Sequence, residues 1–366
     1  MKIKLNDLID IFDFEVRKNT KNKKKIYQFE KYKMINILNI YQELSNDIIR
    51  PIKYNIFLVK YPKYRVVMSL NIGDKIINHY VARYILINKL DKYLDDRNIA
   101  TRINLGRDYG IKKVKDYMEH FKKYDSFYIL KMDISKYFYS IDHEVLKKML
   151  KNDLDNAEYK IICNIIDSTN YEYINDTIDK LKNIELNSTS TRIKEIKEIP
   201  HYNHGKGLPI GNMTSQFLAI YYLYKLDHKI IHDYKLKYFL RYMDDIVIIH
   251  NDYNYLVNIN NKIEKELNNN FKLKINTKKT MITDNSNGFT FLGYRFRSIN
   301  NKTIINISNS TRIRIKKRIK EVNYLYKHDK MKLETAFSSI NTYLNGFKYG
   351  SRLRIRRIIN DKFFSE

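Results

Sequence analysis

The chain has 366 residues, with 68 Lys and Arg against 41 Asp and Glu, a formal net charge of +27. An excess this large favours a polyanionic partner, although a composition rich in Lys, Asn, Ile and Tyr also results from AT-rich coding. One Cys excludes an intramolecular disulfide. No apolar run is long enough to span a bilayer and no signal-peptide core occurs, so we expect a cytoplasmic protein without a membrane partner.

A strand is predicted where apolar residues run from 127 to 132 and end at Asp133. This strand would place the Asp133 carboxylate at its end. Phe138 follows five residues later, and a core aromatic is the plain interpretation of that ring in a chain with 32 Tyr and 17 Phe.

A polar stretch, residues 171–202, is rich in Asn, Thr, Lys and Glu. It is predicted to be a surface insertion, and residues 187–191 (Asn-Ser-Thr-Ser-Thr) are its most loop-like part. We expect function to survive its shortening.

The segment 206–216 contains Gly211 at the start of a predicted helix. Glycine lets the backbone approach a ligand closely, and the free N–H groups of a helix start favour phosphate. The alternative is an ordinary turn with Thr214 as the N-cap. Gln216 is the polar side chain that could hydrogen-bond a base or sugar edge, whereas the apolar residues that follow have helical spacing and belong to a core.

A β-hairpin is predicted at residues 238–249, where two apolar runs flank Asp244 and Asp245. The turn would hold both carboxylates together. A solvated turn is the alternative for an Asp-Asp pair taken alone. With Asp133 as a third carboxylate, the set suits two Mg²⁺ ions about 4 Å apart, as in two-metal phosphoryl transfer.

Basic residues cluster at 21–25, 312–320 and 352–357. In residues 312–320, basic and apolar residues first alternate and then shift toward helical spacing, which predicts an element with one buried face and one phosphate-facing face. A merely solvated basic face remains the alternative.

Taken together, these segments resemble the reverse transcriptases, in particular the bacterial group that includes group II intron and diversity-generating retroelement enzymes. Residues 210–216 (Ile-Gly-Asn-Met-Thr-Ser-Gln) are more similar to the diversity-generating enzymes than to other relatives. Further similar segments follow in the family's order, at 276–280, 291–294 and 339–349. The resemblance covers about residues 50–355.

The resemblance implies an α+β fold, a right-hand polymerase with fingers, a palm built on an antiparallel sheet, and a helical thumb. Residues 1–50 would form an N-terminal helical extension, residues 51–300 the interleaved fingers and palm, and residues 301–366 a basic helical thumb.

The resemblance also implies site roles. Asp133, Asp244 and Asp245 would hold two Mg²⁺ ions, and Lys279 would protonate the leaving pyrophosphate. A solvated lysine in a basic chain is the alternative for Lys279. The residues expected to contact substrates or primer are Arg65 and Arg102 in the fingers, Phe138 against the incoming sugar, Gly211 and Gln216 near the template and nucleotide, and Met243 at the primer end. A ring at position 138 leaves little room for a 2′-hydroxyl, which favours DNA synthesis.

The implied function is RNA-directed DNA synthesis from dNTPs on a DNA or RNA primer, with an RNA template or structured noncoding RNA and a possible accessory protein. A retroelement enzyme with a dedicated RNA is the first interpretation. An antiphage defence enzyme with RNA-guided, untemplated or protein-primed synthesis is the second, and an RNA-binding scaffold on a polymerase fold is the third.

Overall fold

The computed structural model describes residues 3–61, 63–124, 126–188, 192–300, 302–347, 349 and 352–360, and only the backbone of residues 344, 345 and 352–354. The chain forms two compact units. The first comprises Met1–Thr101, Ile134–Lys235 and Lys262–Asn276, and the second comprises Arg102–Asp133, Leu236–Asn261 and Thr277–Glu366.

Helices dominate the first unit. Its elements up to residue 93 are α1 (Leu5–Asp10), a π-helical turn (Ile11–Val16), α2 (Arg17–Asn19), α3 (Lys23–Glu30), α4 (Lys33–Ser45), β1 (Asn55–Val59), β2 (Arg65–Ser69), α5 (Ile72–Tyr80), a second π-helical turn (Val81–Ile87), α6 (Asn88–Leu90) and a 3₁₀ turn (Asp91–Tyr93). The helices α1 to α4 lie within residues 1–50.

The second unit begins with α7 (Arg107–His120), a 3₁₀ turn (Phe121–Lys123) and β3 (Tyr128–Asp133). The chain then returns to the first unit for α8 (Tyr137–Ser140), α9 (His143–Leu150), α10 (Asn156–Asp167), a 3₁₀ turn (Ser168–Asn170), α11 (Glu172–Ser188), α12 (Ile193–Lys197), α13 (Met213–Tyr222) and α14 (Tyr224–His232).

The remaining elements complete the second unit, except that α15 contributes to both units. They are β4 (Phe239–Tyr242), β5 (Asp245–His250), α15 (Tyr253–Phe271), β6 (Met281–Asp284), β7 (Phe289–Phe291), β8 (Tyr294–Ile299), β9 (Lys302–Ile307), α16 (Asn309–Lys327), α17 (Leu333–Gly346) and α18 (Arg352–Ile359).

Within the described residues, the strands form three antiparallel sheets. In the first unit, β1 pairs with β2. In the second unit, a four-stranded sheet has the order β4-β5-β3-β6, and β7, β8 and β9 form a three-stranded sheet. The α+β class and the predicted hairpin at 238–249 are confirmed, and the strand predicted before Asp133 is β3.

The β1–β2 hairpin shares one buried apolar cluster with the segment that was expected to be a surface insertion. Ile174 and Ile178 of α11, together with Ile196, Ile199 and Tyr202, pack with residues of β1 and β2 and their flanks. These isoleucines are fully or nearly fully buried. The apolar positions of a polar-looking segment thus form part of the core.

Polar contacts join the same elements. The Tyr64 hydroxyl donates to Glu185 Oε1 at 2.7 Å and the Tyr64 backbone N–H donates to Glu195 Oε1 at 2.8 Å. The Arg192 guanidinium lies 4.5 Å from the centroid of the Tyr64 ring, at cation–π distance.

The described part of the segment is thus helical and partly buried, whereas its survival of shortening stays a prediction. Asn187 and Ser188 end α11, and residues 189–191 lie outside the described residues. Shortening the segment would remove buried side chains and expose the apolar cluster to water.

The basic segment 312–320 lies within α16. Thr311, Ile315, Ile319 and Val322 are the buried residues of this helix, and they repeat at helical spacing, which gives one buried face as predicted. Between them, the side chains of Arg312, Lys316, Lys317 and Lys320 are exposed. No helix in the described ranges is long and apolar enough to cross a membrane.

Replacement of Ile178 by alanine should destabilise the first unit by about 2–5 kcal/mol, the range for truncating a fully buried isoleucine. Ile184→Ala in the same helix is the matched control, because Ile184 is 64% exposed. Urea unfolding monitored by circular dichroism measures both. Equal midpoints for the two variants would show that α11 does not stabilise this core.

Candidate active site

The hairpin between β4 and β5 has a two-residue turn, Met243 and Asp244, closed by the pairing of Tyr242 with Asp245. Met243 has a φ of +56°, in the left-handed region that costs free energy for a residue with a side chain. The guanidinium of Arg241 donates to the Met243 carbonyl oxygen at 3.1 Å. The Arg241 side chain is fully buried, so it supports the turn from inside the protein.

The register of the central sheet brings Asp133 and Asp245 together. These residues are directly opposed Cα partners on the adjacent strands β3 and β5. Opposed residues of an antiparallel pair point to the same face, with Cβ atoms about 5 Å apart. Asp244 precedes Asp245 in the turn, so three carboxylates meet at one end of the sheet.

Mutual repulsion and burial govern the ionisation of these acids. Burial, together with the charges of Asp245 and Asp133, raises the pKa of Asp244 to about 6. Burial also raises the pKa of Asp245, against the opposing effect of Lys131, and Asp133 adds to the rise. The cluster therefore favours bound positive charge.

Two lysines supply part of that charge. Lys279 Nζ donates to Asp133 Oδ2 at 2.8 Å, and Lys131 Nζ lies 3.6 Å from Asp245 Oδ1. Burial lowers the pKa of Lys279, but the hydrogen bond and charge of Asp133, with the charges of Asp244 and Asp245, raise it on balance. Lys279 is thus held in its protonated form.

The carboxylates have the donor chemistry of a magnesium site. Hard oxygen ligands suit Mg²⁺, and a divalent ion would offset the repulsion that raises the pKa of Asp244. Within the described part of the chain, no three His, Cys, Asp or Glu side chains are arranged to hold a metal ion by themselves. The three carboxylates are chemically suited to Mg²⁺. In this structure, two of them are instead paired with Lys279 and Lys131.

Met243 and Arg102 also belong to the second unit. Met243 occupies the turn beside Asp244 and is half-buried. Arg102 lies in the turn before α7, where its carbonyl oxygen accepts a hydrogen bond from the Leu105 N–H at 3.3 Å.

Arg65, Phe138, Gly211 and Gln216 belong to the first unit. Arg65 is exposed at the start of β2, and its charge acts on the pKa of Tyr139, the residue after Phe138. The Phe138 ring is half-buried, and its carbonyl oxygen accepts a hydrogen bond from the Leu208 N–H at 2.7 Å. Phe138 thus lies beside the segment that leads to Gly211.

Gly211 has a φ of +121°, and a Cβ atom built there would lie 2.9 Å from the Met68 carbonyl oxygen. The Met68 N–H also donates to the Ile210 carbonyl oxygen at 2.8 Å. Only glycine meets both requirements, the positive φ and the close approach. Gly211 therefore fixes the segment against β2.

The helix predicted after Gly211 is confirmed as α13, with Asn212 rather than Thr214 at its N-cap. Thr214 instead exchanges two hydrogen bonds with Asn78. Gln216 is exposed on α13. Gly211 also lines a cavity of about 230 Å³ whose polar walls include Lys75.

The sequence interpretation missed three residues that contact the acids or their turn: Lys131, Arg241 and Thr280, whose hydroxyl accepts a hydrogen bond from the Asp133 N–H at 3.3 Å. Lys131 could have been found, because it lies two residues before Asp133 and a strand repeats its faces with period two. The contacts of Arg241 and Thr280 depend on the turns and leave no periodic signal.

Three carboxylates and two lysines thus share one end of an antiparallel sheet. The family model for "Reverse transcriptase (RNA-dependent DNA polymerase)" matches residues 21–296, well over half of the chain. The protein therefore belongs to the reverse transcriptase family, whose catalytic domain is a nucleotidyltransferase domain.

Among solved structures, apo telomerase from Candida tropicalis, truncated from the C-terminal domain, matches at 14% identity and a TM-score of 0.49, covering 75% of this chain and 60% of that one. Telomerase from Candida albicans in complex with a TWJ fragment of telomeric RNA matches at 15% identity and a TM-score of 0.47, covering 87% of this chain and 61% of that one. The chain thus spans about three fifths of these structures, and similarity at this level defines no function. No curated protein matches the sequence significantly.

Gly211→Ala should destabilise the first unit by about 1–3 kcal/mol and lower activity, because the methyl group meets the Met68 carbonyl oxygen at a strained φ. Gly205→Ala is the control: its φ is +72° and a Cβ there meets nothing within 4 Å. Thermal unfolding compares the two. Similar losses of stability would show that the close approach to β2 is unimportant.

Proposed function

We propose that this protein is an RNA-directed DNA polymerase that adds deoxynucleotides to a primer 3′-hydroxyl. The observation that supports this most strongly is the meeting of Asp133, Asp244 and Asp245 at one end of the central sheet, within a chain of the reverse transcriptase family. An isolated Asp-Asp turn would not need a third carboxylate on the neighbouring strand.

In this proposal, Asp133 and Asp244 would hold two Mg²⁺ ions, with Asp245 completing the site. The ions would activate the attacking hydroxyl and stabilise the charge on the leaving pyrophosphate. The protein's own part is to hold the three carboxylates close together, which the β3–β5 register and the Met243 turn achieve.

Lys279 has a second part in the proposal. Its pKa is raised by Asp133 and the neighbouring acids against the effect of burial, so it carries a proton at neutral pH. We propose that Lys279 donates this proton to the leaving pyrophosphate after it leaves Asp133, because separation from the acids removes the charges that raise its pKa. Arg65 and Arg102 would neutralise triphosphate charge, and Met243 would contact the primer end.

We propose a path for the nucleic acid from two features, the cavity beside Gly211 and the positions of basic side chains. Lys75 lines the cavity beside Gly211, and its Nζ donates a hydrogen bond to the Thr20 hydroxyl at 3.3 Å. A template strand passing here would meet a cation and, at Gln216, an exposed amide. The basic side of α16 would contact the backbone of a duplex, and binding would weaken with salt as counterions are displaced.

The domain assignment follows as part of the proposal. The β1–β2 hairpin and its α11 cluster would belong to the fingers, the four-stranded sheet to the palm, and α16 to α18 to the thumb. The palm assignment depends on the carboxylates that this sheet carries.

Asp244→Asn should reduce deoxynucleotide incorporation on an RNA template by about 10³-fold or more, because a carboxylate ligand is lost. Asp116→Asn, at an exposed site on α7, is the control and should remain active. Chelation of divalent cations should abolish wild-type incorporation, and added Mg²⁺ should restore it. Near-normal synthesis by folded Asp244→Asn would disprove the assignment.

Phe138→Ala should raise the incorporation of ribonucleotides relative to deoxynucleotides by about tenfold, because removal of the ring makes room for a 2′-hydroxyl. Phe14→Ala is the control, since Phe14 is 61% exposed and lies in the N-terminal helices. Single-nucleotide primer extension gives the ratio. An unchanged ratio would return Phe138 to the role of a packing residue.

We propose further that the protein works with a dedicated RNA of a bacterial or phage retroelement, on the resemblance of residues 210–216 to the diversity-generating enzymes. An antiphage defence role is the alternative for the same catalyst. Sequencing the RNA that co-purifies with the protein from its host, together with the genes beside its own, distinguishes them.

A further inference from the structure

Three acids and two lysines form the charged cluster at the end of the central sheet. Each lysine contacts a different acid: Lys279 Nζ donates to Asp133 Oδ2 at 2.8 Å, and Lys131 Nζ lies 3.6 Å from Asp245 Oδ1. The cluster thus carries internal positive charge at two of the carboxylates that the proposed function assigns to metal ions.

The two lysines are held differently. Lys131 projects from the middle of β3, paired on both sides with β5 and β6, and its side chain is only 16% exposed. Lys279 lies in the turn before β6, and its side chain is 59% exposed. The side chain of Lys279 can therefore move into solvent without any change in the sheet, whereas that of Lys131 is largely enclosed.

The turn that carries Lys279 is tied to Asp133. The Asp133 N–H donates to the hydroxyl of Thr280, the next residue, at 3.3 Å. The Asp133 side chain is only 7% exposed, so few positions are open to a cation that approaches it. The ammonium of Lys279 occupies one of them, at Oδ2.

We propose that Lys279 takes the place of a cation at Asp133 in the metal-free protein and leaves this carboxylate when a divalent ion binds. The inference rests on the proposed function, which assigns Asp133 as a metal ligand. An ammonium and a divalent ion compete for the same oxygen and repel each other, so Lys279 weakens the binding of the ion. The same lysine, once released, is free to turn toward a phosphate.

The test measures Mn²⁺ binding to the full chain by electron paramagnetic resonance, without nucleic acid or nucleotide. Lys279→Met should tighten Mn²⁺ binding by about three- to tenfold, the size of coupling for partly exposed charges. Lys279→Arg, which keeps the charge, should stay near the wild-type affinity. Lys278→Met is the matched control, because it removes the same charge from an exposed neighbour in the same turn.

Unchanged or weaker binding in Lys279→Met would overturn the inference. So would an equal gain in Lys278→Met, which would show a general effect of net charge. Turnover gives an additional readout: Lys279→Met should bind the ion more tightly yet react more slowly, whereas a loss of structure would weaken both.

Asp133→Asn separates this inference from the proposed function. Loss of Mn²⁺ binding in this variant supports the metal site, whatever Lys279 does. If Asp133→Asn binds Mn²⁺ as the wild type does, the metal assignment itself fails. If Asp133→Asn weakens Mn²⁺ binding and Lys279→Met leaves it unchanged, the lysine inference alone is overturned.

Discussion

The pairing of β3 with β5 is the constraint on which the site depends. Its register sets Asp133 opposite Asp245, and a slip of one residue would turn one carboxylate to the other face of the sheet. Residues 246–249 of β5 are all buried, so the strand cannot shift without exposing apolar side chains. The free energy that fixes the apolar strand thereby also holds the charged groups together.

The repulsion among the acids acts against this arrangement. Burial and neighbouring negative charge disfavour the ionised form of Asp244, and Lys279 compensates only in part, while Lys131 acts on Asp245. The buried guanidinium of Arg241 donates a hydrogen bond to the Met243 carbonyl oxygen in the turn. Within the cluster, the lysines thus reduce the repulsion, while the arginine shapes the turn.

Much of the site could be predicted from the sequence because its signals are local. The strand before Asp133 and the hairpin around Asp244 are short apolar runs with a polar break, a pattern that a single sequence shows directly. The packing of α11 could not be predicted in this way, because its few buried isoleucines are diluted by polar residues and their partners in β1 and β2 lie far away in the chain. The two compact units are equally hard to derive from the sequence, because each is assembled from three separate stretches.

The contact between Gly211 and Met68 has a mechanical consequence. The Met68 N–H is bonded to the Ile210 carbonyl oxygen, and the Gly211 backbone lies against the Met68 carbonyl. The end of the β1–β2 hairpin and the segment that leads into α13 are therefore joined directly through their backbones. A displacement of this hairpin would therefore also displace the start of α13.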